Sequence, residues 1–116
     1  MPRFIIEREI PGAGALGYAE RRAIAARSNE VLAAMGDSIT WHHSFVTADR
    51  IYCVYDADNA ALVREHALRG GFPADRVDEI LQVIGPATAA GGETSSAVPP
   101  DGGGADAEGR IAAAGA

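Results

Sequence analysis

The chain of 116 residues has no lysine, a single cysteine and only 6% aromatic residues, and each shortage narrows what it can be. One cysteine, Cys53, cannot form an internal disulfide, so a disulfide-stapled secreted scaffold is excluded. No stretch reaches the roughly 18 consecutive apolar residues of a membrane-spanning helix. Met1 to Gly12 is interrupted by Arg3, Glu7, Arg8 and Glu9, so it does not read as a secretory signal, and the expected compartment is the cytoplasm. All 10 basic residues are arginines, scattered among 16 acidic ones for a net charge of −6. Binding a phosphate backbone needs clustered positive charge, so neither nucleic acid nor a membrane surface is an expected partner. Also missing are GxSxG, HExxH, CxxC and Walker-type motifs. The spacing Gly12-x-Gly14-x-x-Gly17 formally matches a dinucleotide fingerprint. Pro11 precedes it, and no acidic residue closes a second parallel strand, so it is read as a loosened loop.

The composition changes after Gly85. Of the 31 residues from Pro86 to Ala116, 10 are Ala, 7 Gly and 3 Pro, and none is aromatic. Such a segment buries too little apolar surface to offset its ordering entropy, so residues 86–116 are expected to form a flexible tail and residues 1–85 the folded domain. Within that domain Arg3 to Arg8 reads as a strand closed by Pro11-Gly12. Glu20 to Met35 places Ile24, Val31 and Met35, with Ala23 and Ala34 beside them, at helical spacing, and Gly36 stops the helix. Ser38 to Val46 and Ile51 to Tyr55 are rich in β-branched and aromatic residues and flank a turn at Thr47 to Arg50. Asp58 is expected to cap a helix from Asn59 to Arg69, stopped by Gly70-Gly71, and Val77 to Ile84 reads as the last strand. The resulting order, βαββαβ, is the ferredoxin-like α+β plan. A four-stranded antiparallel sheet carries two helices on one face, and the other face is expected to meet a second copy in a homodimer.

Side chains alternate across a strand, so Ile39, Trp41, His43 and Phe45 should share one face of the second strand, and Thr40, His42, Ser44 and Val46 the other. The smaller set is assigned to the helix side and the bulky set to the open side. A four-residue turn pairs Val46 with Ile51 and His43 with Val54. Tyr52 then shares the face of His43, and Cys53 that of His42 and Ser44. A His43–Cys53 pair needs an odd loop or a bulge. His66 follows Leu62 and Val63 by helical spacing, where a histidine serves as a core group, a cap or a ligand. Glu7, in the first strand, can approach Tyr52 and His43 if it faces away from the helices.

The segments PRFIIEREIPGAG, WHHSFVTADRIYCVYDA and REHALRGGFPADR resemble a family of small bacterial ferredoxin-like proteins that includes a nickel-binding protein of actinobacteria. The likeness covers Met1 to Ile84. It implies a dimeric α+β barrel and a metal site, with nickel the named candidate and other divalent transition metals compatible. The family commonly carries histidine, cysteine and histidine at the positions of His43, Cys53 and His66, and these are the implied metal ligands. Glu7, Trp41, His42 and Tyr52 are expected to line or neighbour the site. His42 stands where the family has an aliphatic residue, and Phe45 replaces a frequent tyrosine. Imidazole suits nickel, copper and zinc alike, so ligand type alone does not select the metal. The function expected is metal binding, sequestration or sensing. The alternative is a cofactor-independent isomerase or monooxygenase, with His43 as acid–base group, Tyr52 and Glu7 beside it, and Trp41 and Phe45 forming a pocket wall.

Overall fold

Alternation builds the central strands. In the computed structural model, which describes residues 1–91, β1 (Arg3–Glu9) buries Phe4, Ile6 and Arg8 and turns Ile5 and Glu7 the other way. β3 (Arg50–Ala57) buries Ile51, Cys53, Tyr55 and Ala57 on the same side. The two strands pair antiparallel, with Ile6 opposite Cys53 and Glu7 opposite Tyr52. β2 (Ile39–Val46) pairs antiparallel with β3, and β4 (Arg76–Ile80) lies beside β1, giving the order β2-β3-β1-β4. α1 (Tyr18–Met35) joins β1 to β2, and α2 (Ala60–Gly70) joins β3 to β4. This is the ferredoxin-like βαββαβ arrangement expected from the sequence.

The helices differ in how tightly they are held. α2 buries Val63, His66, Ala67 and Gly70. α1 fully buries only Ser28, while Ile24, Val31, Leu32 and Met35 are half-buried and Ala23 and Ala34 are exposed. α2 is capped by Asn59 rather than Asp58: the Asn59 side-chain oxygen accepts from the Leu62 amide at 3.0 Å. Both residue types suit a cap, and Asn59 takes the role because it immediately precedes the helix and its side chain reaches the amide of the third helical residue. α2 ends at Gly71, whose φ of +74° favours glycine. A Cβ on Gly70 would fall 2.4 Å from the Phe72 ring, so Gly70 lets the chain fold Phe72 back against its helix.

The Gly12–Gly17 spacing serves packing. Gly12 takes φ +79°, and a 3-10 turn follows at Ala13–Ala15. There the Gly14 amide donates to the Ala48 carbonyl at 2.9 Å, where a Cβ would meet the Ala48 Cα at 3.0 Å. The loop after β1 is thereby stitched to the β2–β3 turn.

That turn sets the expected register, Val46 opposite Ile51 and His43 opposite Val54. Beyond His43 the pairing slips by one. Trp41 lies opposite Tyr55, so His42 is an extra residue in a β-bulge. Four face assignments therefore change. Ile39, opposite Ala57, is buried on the helix side, and Thr40, opposite Asp56, is exposed on the outer side. Trp41 joins Ser44 on the helix side, with its indole N–H donating to Ser44 Oγ at 3.0 Å, and His42 joins His43 on the outer side. β4 ends at Ile80 instead of running to Ile84. Just before β4, the Asp75 amide donates to the Glu7 carbonyl at 3.0 Å. An edge strand extends only as far as its neighbour offers backbone partners. Past Ile80, a 3-10 helix spans Pro86–Ala90, with the Gly85 amide donating to Thr88 Oγ1 at 2.9 Å. The remainder of the expected tail, residues 92–116, lies outside the described residues.

Candidate functional site

Two groups of polar side chains stand out, one on each face of the sheet. On the outer face, away from the helices, Arg3 grips Asp56 through two hydrogen bonds, Nε to Oδ1 at 2.6 Å and Nη2 to Oδ2 at 2.9 Å. This holds the Asp56 carboxyl down at a pKa of about 2, chiefly through the hydrogen bond from Arg3, and raises that of Arg3 in return. His42 Nε2 lies 2.8 Å from Asp56 Oδ2 and 2.7 Å from Arg3 Nη2. It donates to the carboxylate or accepts from the guanidinium according to where its proton sits. The bulge makes this contact, because strict alternation would send His42 toward the helices. His43 is exposed and meets the Phe45 ring edge-on at 5.0 Å. Glu7 stands opposite Tyr52, with its carboxylate 3.6 Å from Arg50.

On the inner face the centre is Arg8, only 3% exposed. Its Nε donates to Cys53 Sγ at 3.4 Å, Nη2 to Tyr55 OH at 3.4 Å and Nη1 to the Pro73 carbonyl. Its guanidinium also lies 5.3 Å from the centre of the Phe72 ring. Among the described residues no carboxylate comes within ion-pairing distance of it. His66 is fully buried in α2 between the rings of Tyr55 at 5.1 Å and Phe72 at 5.9 Å. Its Nε2 lies 3.1 Å from Ser28 Oγ, and its Nδ1 has no hydrogen-bond partner. Burial pushes the His66 pKa down, with Arg8 adding repulsion, so its imidazole is held neutral. Burial also raises the Tyr55 phenol. Between the sheet and α1 lies a cavity of about 200 Å³. Arg8, Cys53, Tyr55 and Trp41 line it from the strands, and Ile24, Ala25 and Ser28 from α1.

The sequence-predicted residues are thus divided. His43, His42, Glu7 and Tyr52 share the outer face, whereas Cys53, His66 and Trp41 lie on the helix side. Within one chain His43 does not meet Cys53 or His66. Among the described residues no three His, Cys, Asp or Glu side chains gather as a metal cluster would require. The inner pair is a poor fit for a dication, because the Arg8 cation touches the cysteine sulfur and no carboxylate offsets it. The outer face offers donors of the right kind, the imidazoles of His42 and His43 and the carboxylate of Asp56, yet too few to enclose an ion. The grouping of acid–base residues around a pocket is likewise not assembled: of Trp41, Phe45, His43, Tyr52 and Glu7, only Trp41 lines the cavity. Arg8 is the site residue missed in the sequence reading. Its signal is its phase, since it follows Phe4 and Ile6 at period two and therefore shares their buried face.

The model of one protein family, described as nickel responsive protein SCO4226-like, matches residues 4–80. Among curated proteins none matches the chain. Among solved structures, SCO4226 from Streptomyces coelicolor A3(2) superposes with a TM-score of 0.60 at 15% sequence identity. The superposition covers 71% of this chain and 99% of that one, and at this identity it speaks for the fold alone.

Proposed function

The chain belongs to the SCO4226-like family of nickel responsive proteins, and we propose that it binds nickel(II) on the outer face of its sheet, as a homodimer. His43 is the leading ligand. It is exposed and stands next to His42, its side chain makes no hydrogen bond among the described residues, and its ring meets the edge of Phe45. The single observation that carries this reading is the bulge, which brings two consecutive histidines to one face of the sheet. His42 and Asp56 are the neighbouring donors, though both are already engaged with Arg3. A second copy supplies the donors that one chain lacks. β2 is an edge strand, and Phe45 and Val46 on it are 57% and 44% exposed, which suits contact with another copy. When bound, nickel would supply a borderline Lewis-acid centre suited to neutral imidazole, so affinity falls as the histidines protonate. The roles this supports are binding, sequestration or sensing of the ion.

The test is calorimetric titration of nickel(II) into the untagged full-length chain and into His43→Ala, with oligomeric state measured by light scattering. Stoichiometric binding that is lost in His43→Ala supports the reading. An unchanged titration removes His43 from the site, and a wild-type chain that takes up no nickel overturns nickel binding altogether.

A further inference from the structure

The inner cavity has no part in the nickel reading and stands independently of it. Arg8 brings a full positive charge into the interior with no carboxylate among the described residues to pair it. A guanidinium has five N–H groups in a fixed fork. The acceptors around Arg8 are the Cys53 sulfur and the Tyr55 oxygen, both at the long distance of 3.4 Å, and the Pro73 carbonyl. Two N–H groups are left over, and the charge faces the Phe72 ring at 5.3 Å with no anion beside it among the described residues. Buried charges in proteins are normally paired, and a guanidinium fork matches a carboxylate in both charge and geometry. The same residue lines a largely apolar cavity walled by Ile10, Leu16, Ile24, Trp41, Ile51 and Phe72. Arg21, exposed at the surface of α1, also borders it and adds positive potential on the approach.

We propose that the cavity between the sheet and α1 is a binding site for a small monocarboxylate with a ring-sized apolar body, its carboxylate on Arg8 and its body among the aliphatic and aromatic walls. The size agrees: a cavity of about 150 Å³ takes benzene, so about 200 Å³ holds one ring and a carboxylate. A dication is disfavoured here by the guanidinium, and a neutral hydrocarbon leaves its charge unpaired.

The experiment uses the full-length chain in the presence of a chelator, so that nickel plays no part, and follows binding by calorimetry and by nitrogen–proton correlation spectra. Phenylacetate is the probe, and phenylacetamide and acetate are the controls that lack the charge and the ring. Saturable one-to-one binding of phenylacetate is expected, with both controls weaker by about tenfold or more, about 1.4 kcal/mol. Arg8→Met should abolish the preference for the acid over the amide. Ala25→Phe, which places a ring in the cavity from α1 and keeps Arg8 itself, should abolish binding of both. Should Arg8→Met not fold, the acid–amide comparison and Ala25→Phe decide the matter. The proposal is overturned if phenylacetate shows no saturable binding into the millimolar range, if the amide binds as well as the acid, or if Ala25→Phe binds like wild type.

Discussion

Replacing Gly70 with alanine places a methyl group 2.4 Å from Phe72 Cε2 and 2.5 Å from Cδ2. Carbon atoms in ordinary contact stand about 3.5–4.0 Å apart, so ring and methyl must separate by roughly 1 Å. The ring has little freedom to yield, since it is packed against His66 on one side and Arg8 on another. Overpacking of this kind costs about 1–3 kcal/mol. Alanine recovers up to about 1 kcal/mol of helix propensity over glycine, less at the last residue of a helix. Net destabilisation of about 1–2 kcal/mol is expected, a fall in melting temperature of about 4–8 °C for each kcal/mol in a domain of this size. Urea unfolding of Gly70→Ala, Phe72→Ala and the double variant isolates the cause. With the ring gone, the added methyl has nothing to strike, and Gly70→Ala should become neutral or stabilising. Equal cost in both backgrounds, or a stabilised single variant, would refute the steric argument.

Two further predictions follow from the same physical terms. Asn59→Ala should cost about 1 kcal/mol by uncapping α2, whereas Asp58→Ala, one residue earlier, should stay within about 0.5 kcal/mol; denaturation midpoints that reverse this order would sink the cap assignment. His66 is held neutral in the folded protein, with its pKa below the ordinary histidine value. The unfolded chain therefore binds the proton first, and the stability contributed by neutral His66 is present above about pH 6.5 and declines as pH falls below it, at no more than about 1.4 kcal/mol per pH unit. Unfolding free energies measured at pH 7.5 and 5.5 should drop more in wild type than in His66→Gln, and an equal drop in the two would show that His66 is not the group responsible.

Most of the architecture is legible because it depends on period and punctuation. Phe4, Ile6 and Arg8 alternate, Gly36 and Gly71 close helices, and the even β2–β3 turn sets Val46 opposite Ile51. What escapes is whatever turns on a single residue. Nothing in the composition of WHHSFV marks His42 as the extra residue, since a bulge changes pairing without changing residue type. The cap falls on Asn59 and not Asp58 because chain geometry, not propensity, decides between two good caps. β4 stops at Ile80, and the backbone partners that a neighbouring strand offers are a long-range fact that the apolar run to Ile84 does not carry. Arg8 was readable from its phase, but charge alone suggests the surface, and only the folded sheet shows that no carboxylate follows it inside.

The bulge also decides which sign of charge each face accepts. By simple alternation His42 and Cys53 would share the helix side, and a metal there would sit against Arg8. At about 4 Å and an effective dielectric of about 20, a dication and a guanidinium repel by about 8 kcal/mol, more than a few protein ligands readily offset. Inserting one residue at His42 moves its imidazole across the sheet to the side of His43 and sends Trp41 inward to the wall of the cavity. On the outer face the sheet itself separates a cation from Arg8, the repulsion falls in inverse proportion to the distance, and the cation present there, Arg3, is already paired with Asp56. Nickel recruiting His42 must first loosen that Arg3–Asp56 grip, whereas the His43 ring meets only a ring edge, that of Phe45, and no polar side chain among the described residues. For this reason His43, and not its neighbour, should dominate the nickel titration, while the interior remains suited to an anion.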